Sequence, residues 1–75
     1  RAELAVVNIR VGRNEEALKV LQDALAIDSK YAEAYRLMGI AQLQMKKKQE
    51  ACQSFAKAKE LGDPNVDGLI EKHCK

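Results

Sequence analysis

The chain repeats its own residue pattern at an offset of 34 residues. Two alanines show the register, because Ala17 recurs as Ala51 and Ala24 recurs as Ala58. Elsewhere chemical class is kept, and the matched pairs are Leu4 with Met38, Ala5 with Gly39, Val6 with Ile40, Ile9 with Leu43, Val11 with Met45, Leu21 with Phe55 and Ile27 with Leu61. This period is typical of arrays in which each helical unit buries its apolar face against its neighbours.

Helical periodicity runs through both copies of the pattern. In the second copy, apolar residues recur at the three- and four-residue spacing of a helix face, at Tyr35, Met38, Ala41 and Met45. The run Lys46–Lys48 interrupts this helix, and Gly62–Asn65 ends the next one, because Gly favours a left-handed cap and Pro cannot continue a helix. We predict helices at about residues 1–11, 14–27, 31–45, 48–61 and 65–74, packed antiparallel because the turns are short.

The second copy resembles a tetratricopeptide repeat. The residues that carry the resemblance are Ala32-Glu33-Ala34-Tyr35, Met38-Gly39, Ala51, Phe55, Ala58, Leu61 and Asp63-Pro64-Asn65. The resemblance covers the whole chain and implies a truncated repeat at 1–31, a complete repeat at 32–65 and a C-terminal capping helix at 66–75. The implied fold class is all-α: a right-handed superhelical stack of antiparallel helix pairs, or α-solenoid. Since Arg1 stands within a predicted helix, we expect the sequence to be a fragment of a longer chain.

The same resemblance implies a protein-binding scaffold with a concave groove, which the first helix of each repeat lines. The matching groove positions are Val6, Ile9, Arg10, Glu33, Arg36, Ile40, Leu43 and Gln44, with Ala2, Glu71 and Lys75 at the margins. We expect this groove to hold a peptide or helix of a partner protein. The alternative is a structural or self-associating C-terminal cap of a longer array, without a foreign ligand and with a possible homo-oligomer.

Other classes of function find little support in the composition. The net charge of +2 and the single lysine run predict no nucleic-acid binding, since such a surface needs a wide basic face. No apolar run approaches the roughly 20 residues that cross a bilayer, so we expect no membrane insertion. We expect no enzyme activity, because adjacent residues such as His73 and Cys74 point in different directions on a helix. We expect no metal or other cofactor, because a closed metal site needs about four ligands.

The two cysteines leave an alternative open. Cys52 lies nine residues before Leu61, and Cys74 lies nine residues after Asn65, so antiparallel helices would place both sulfurs at a similar height. They could form a disulfide, which would favour an extracytoplasmic location. Alternatively, both are buried, reduced thiols in a cytoplasmic protein. Leu18 matches Cys52 in the register, which indicates that Cys52 serves there as a small apolar residue.

Overall fold

The computed structural model describes the backbone of residues 2–74 and the side chains of residues 6–74. Within these residues the chain contains helices and no strand. The helices are α1 (Ala2–Arg10), α2 (Asn14–Ile27), α3 (Ala32–Gln44), α4 (Lys48–Glu60) and α5 (Val66–His73). The predicted all-α fold is confirmed, and each predicted helix end lies within one residue of the observed end. The right-handed superhelix stays a prediction.

Extensive contacts join helices that are close in sequence. Each helix packs against the next one along the chain, and α1 also packs against α3. The short connections between them allow this arrangement, because they leave consecutive helices no room to separate. The helix α3 therefore has neighbours on both sides, with α1 and α2 on one side and α4 on the other.

Three of the helices end with the same backbone turn. Beyond α1, α3 and α4, one residue adopts a positive φ: Gly12 at 85°, Lys46 at 64° and Gly62 at 96°. In each case the next amide donates to a carbonyl five residues earlier, as Lys47 does to Gln42 at 2.8 Å. This pattern satisfies carbonyls that the helix end would otherwise leave unpaired. Gly12 and Lys46 are related by the 34-residue register, so Lys46 adopts a conformation that glycine takes at less cost.

Most of the buried apolar residues among residues 6–74 form two clusters, one on each side of α3. The first lies among α1, α2 and α3 and contains Ile9, Ala17, Leu21, Ala34, Leu37 and Ala41. The second lies beside α4 and α5 and contains Ala51, Phe55, Ala58 and Val66. Half-buried Ile40 packs against both clusters. The alanines are small where helices approach, which leaves room for the larger Leu21 and Phe55 to fill the remaining space.

Phe55 lies so close to α3 that residue 39 has to be glycine. The Phe55 side chain is fully buried, and a Cβ built on Gly39 would overlap its ring. Glycine inside a helix costs about 1 kcal/mol relative to alanine. Burying a phenylalanine side chain contributes about 1.5–3 kcal/mol, which offsets that cost. In the first repeat the register places Leu21 at the position of Phe55 and Ala5 at the position of Gly39. Leucine is smaller than phenylalanine and alanine is larger than glycine, so the combined volume of the two side chains is roughly the same in both repeats.

We predict that Gly39→Ala lowers stability although alanine is the better helix former. The added methyl group would overlap the Phe55 ring. Overpacking of this kind costs about 1–3 kcal/mol, and the overlap is large, so we expect a net loss of about 1–2 kcal/mol in urea unfolding.

Gly68→Ala is the matched control for this substitution. Residue 68 also lies inside a helix, but nothing outside that helix comes within 4 Å of a Cβ built there. We expect this variant to gain about 0.5–1 kcal/mol. An equal gain for both variants would contradict the close approach of Phe55 to Gly39.

Candidate interaction surface

The first helices of the two pairs present equivalent residues on one face. Val6 of α1 and Ile40 of α3 match in the register, and both are half-buried. One turn later, Arg10 and Gln44 also match, and both are exposed. Since α1 packs directly against α3, these side chains belong to neighbouring parts of the molecule. We call the set Val6, Arg10, Glu33, Ile40, Leu43 and Gln44 the α1–α3 surface.

Ile9, one of the expected groove positions, has a side chain that lies largely in the core. Its side chain is only 7% exposed and belongs to the first core cluster, where it packs with Leu21 and Leu37. The register matches Ile9 with Leu43, which stays half-buried. Ile9 therefore stabilises the fold and adds little surface for a partner. Of the marginal positions, Glu71 is exposed, whereas the side chain of Ala2 and all of Lys75 lie outside the described residues.

Arg36 makes an intramolecular ion pair that the sequence did not indicate. Its Nε donates to Asp63 Oδ2 at 2.8 Å, and its Nη2 lies 3.6 Å from Glu33 Oε2. The Arg36 and Asp63 side chains are 19% and 5% exposed, so the Asp63 pair is largely shielded from water. Arg36 is thus committed to holding the turn after α4, which leaves Arg10 as the cation of the α1–α3 surface that is exposed to a partner.

Asp63 connects this ion pair to the start of α5. Its Oδ1 accepts a hydrogen bond from the Asn65 amide at 2.8 Å, and its own amide donates to Ala58 at 3.0 Å. A carboxylate that accepts the amide two residues later is a turn-forming arrangement typical of aspartate. The sequence Asp63-Pro64-Asn65 carries this turn signal, but it does not show that Arg36, 27 residues earlier, lies within reach.

Cys52 and Cys74 form a disulfide in the structure, with their Cα atoms 5.8 Å apart. Cys52 lies in α4, and Cys74 follows α5, where its amide donates to Ile70 at 2.8 Å. The bond therefore joins the C-terminal end of α5 to α4. It links residues 22 apart, and a loop of this size constrains the unfolded chain substantially. The extracytoplasmic location that such a bond would favour stays a prediction.

The described residues contain neither a candidate metal site nor a candidate membrane-spanning helix. Among the described residues, no three His, Cys, Asp or Glu side chains are grouped so that they could hold a metal ion. No helix between residues 2 and 74 has the length and apolar character needed to cross a membrane.

We predict that Asp63→Ala destabilises the protein by about 1–3 kcal/mol, because it leaves the shielded Arg36 guanidinium and the Asn65 amide without their acceptor. Thermal or urea unfolding measures this loss. Glu33→Ala removes only the more exposed partner of Arg36 and should change stability by less than about 0.5 kcal/mol. Equal losses for both variants would contradict the structural role of Asp63.

We predict that protein purified and denatured without reductant shows no reactive thiol in a thiol titration, because Cys52 and Cys74 are bonded. The double variant Cys52→Ala/Cys74→Ala should lose about 2–4 kcal/mol of unfolding free energy. Two reactive thiols in the unreduced protein would rule the bond out.

Comparison with known families supports the repeat interpretation. A family model described as a TPR repeat matches residues 10–46, a stretch that includes all of α2 and α3 and therefore the junction between the two helix pairs. No curated protein and no solved structure gives a significant match. TPR repeats are in general protein–protein interaction modules, and the family is typically a non-enzymatic scaffold. The 34-residue period, the helix pairs and this match together support the assignment of the chain to the tetratricopeptide repeat family.

Proposed function

We propose that the α1–α3 surface binds a peptide or a helical segment of a partner protein. One observation carries this proposal: the pattern of a half-buried apolar residue followed one turn later by an exposed polar residue occurs twice. Val6 and Arg10 form it on α1, and Ile40 and Gln44 form it on α3. Such a repeated pattern supplies apolar contacts and a polar rim, the two components of a typical protein interface.

The charges on this surface favour a particular kind of partner segment. Arg10 is exposed at the end of α1, whereas Glu33 is exposed in the first turn of α3. Arg36 contributes little attraction, because Asp63 and Glu33 already neutralise it. We infer that the partner presents apolar side chains to Val6, Ile40 and Leu43 and a carboxylate to Arg10.

The affinity of this surface for one segment should be modest. Among the described residues two helix pairs contribute to this surface, and the apolar side chains that face a partner are partly covered by their own neighbours. Binding also costs the free energy of ordering the segment. Arrays with more repeats have more surface to offer, so a short array is expected to bind weakly by itself.

We predict that Arg10→Glu/Gln44→Glu loses binding of peptides selected on the wild-type protein from a displayed library. Both side chains are exposed, so the variant should keep its fold, and its circular dichroism checks this. Charge reversal on the surface should weaken binding by at least about tenfold. Ile40 is a poorer choice for this test because it packs against both core clusters.

Lys19→Glu/Gln53→Glu is the matched control, because it makes an equivalent change of charge at exposed positions of α2 and α4. We expect it to bind the selected peptides as the wild type does. If the control loses binding as strongly as the α1–α3 variant, the site lies elsewhere or the effect is one of net charge.

A structural or self-associating role is the second candidate, and a specific observation favours it. Val7 on α1 is 53% exposed, and Val11, directly after α1, is 63% exposed. In the register, Val7 matches Ala41, which is fully buried in the first core cluster with residues of α1 and α2. The second repeat thus has a covered face where the first repeat has an exposed apolar one, and exposed apolar side chains of this kind promote association.

We predict that, if this second role holds, the molar mass in sedimentation velocity rises with protein concentration, and Val7→Glu/Val11→Glu restores the monomer mass. Glutamate at both exposed positions places like charges in the contact, which disfavours association. A monomer at every concentration would leave peptide binding as the supported role.

A further inference from the structure

The helix α5 has few contacts that would hold it in place by themselves. It contains eight residues, and isolated helices of that length are marginal in water. Val66 is its fully buried residue, whereas Leu69 and Ile70 are half-buried. Gly68 lies inside the helix, and no side-chain hydrogen bond caps its first turn. Position 68 therefore weakens α5 without a packing reason, since a Cβ there would meet open space.

The polar contact between α5 and α4 adds little. Lys59 Nζ lies 3.3 Å from Asp67 Oδ1, but both side chains are 63% exposed. Ion pairs in this setting are screened by water and salt. The attachment of α5 thus depends on Val66 near its start and on the disulfide at its end.

The disulfide lies where it can hold α5 against α4. It joins Cys74, directly after α5, to Cys52 in α4, so both ends of α5 are fixed. Both cysteines are only half-buried. Neither cysteine residue is therefore enclosed in the core.

The region that α5 covers is suited to a helix. Ala51, Phe55 and Ala58 of α4 form a buried cluster with Val66, and Leu69 and Ile70 pack against this cluster. The helix α5 begins 34 residues after α3, so it occupies the place of the first helix of a further pair. Its own apolar residues show what fits there: side chains at one position and at the third and fourth positions after it, on one face of a helix.

We propose that the Cys52–Cys74 disulfide is a redox latch, whose reduction releases α5 and opens the Phe55 end of the molecule to the apolar face of another helix. A thiolate of a dithiol reductant attacks one sulfur, which breaks the protein disulfide and forms a mixed disulfide. The second thiol of the reductant then displaces the protein sulfur. The protein gains two electrons and two protons as two thiols, and the reductant leaves as a cyclic disulfide.

This site is separate from the one proposed for peptide binding. The latch acts through α4 and α5, whereas Arg10 and Gln44 lie on α1 and α3. The substitutions that test the α1–α3 surface should therefore leave the latch unchanged, and failure of one proposal does not imply failure of the other.

Hydrogen–deuterium exchange tests the release of α5. With dithiothreitol as the reductant, amides of residues 69–74 should exchange at least about tenfold faster than in the oxidised protein, because the constraint on α5 is gone. In the reduced protein, amides in the middle of α2 should still exchange more slowly than those of residues 69–74, because α5 opens without unfolding of α2. The variant Cys52→Ser/Cys74→Ser should exchange like the reduced protein and should not respond to dithiothreitol. If the exchange rates of residues 69–74 differ by less than about twofold between the oxidised and the reduced protein, the redox latch is wrong.

Binding of a free helix tests the opened face. The probe is a fluorescent peptide of residues 63–74 that carries Cys74→Ser, so that it cannot form a disulfide. Only the open form can bind it, so its apparent affinity should be at least about tenfold higher for the reduced protein in fluorescence anisotropy. The same peptide with Val66→Asp is the control and should not bind. Equal affinity for both redox states, or for both peptides, would overturn the proposal that this face accepts a helix.

Discussion

The ring of Phe55 occupies space that a side chain at residue 39 would fill, and the absence of that side chain lets α3 and α4 lie close together. The helix α3 is also the element on which α1 and α2 pack, so its position relative to α4 determines how the two clusters are joined. Ile40, one residue after Gly39, contacts both clusters and makes the same connection through its side chain. A glycine that weakens its own helix thus allows the close packing of α4 on α3.

Polar interactions determine the path of the chain between α4 and α5. Asp63 binds the Arg36 side chain and the Asn65 amide, so it determines how the chain leaves α4 and where α5 begins. The Arg36–Asp63 ion pair also changes the charge of the neighbouring α1–α3 surface, because the Arg36 guanidinium is neutralised within the protein and cannot attract a partner. Arg10 keeps an exposed guanidinium, and the polarity of the α1–α3 surface therefore differs between its two helices.

The helices, their ends and the identity of the family could be predicted because they follow from periodicity, turn residues and a fixed register, which are local or repetitive properties. The site was less predictable. Ile9 matches Leu43 in sequence, but only Ile9 is buried, since Leu37 and Ala41 of α3 share its cluster. The Arg36–Asp63 pair depends on how a turn folds back across 27 residues. For Cys52 and Cys74, antiparallel helices imply similar heights, but whether the sulfurs face each other depends on helix rotation, which spacing does not specify.

The pattern of contacts, in which each helix packs mainly against its neighbours in sequence, has a consequence for how the chain assembles. Native contacts separated by few residues close small loops, so little conformational entropy is lost before each contact forms. Folding can start within either helix pair and spread to the next, and neither end has to wait for the other. Under a mechanical force applied at the termini, the same arrangement would give way one helix at a time from the α1 end. The cross-link at the other end shields α5 from that force.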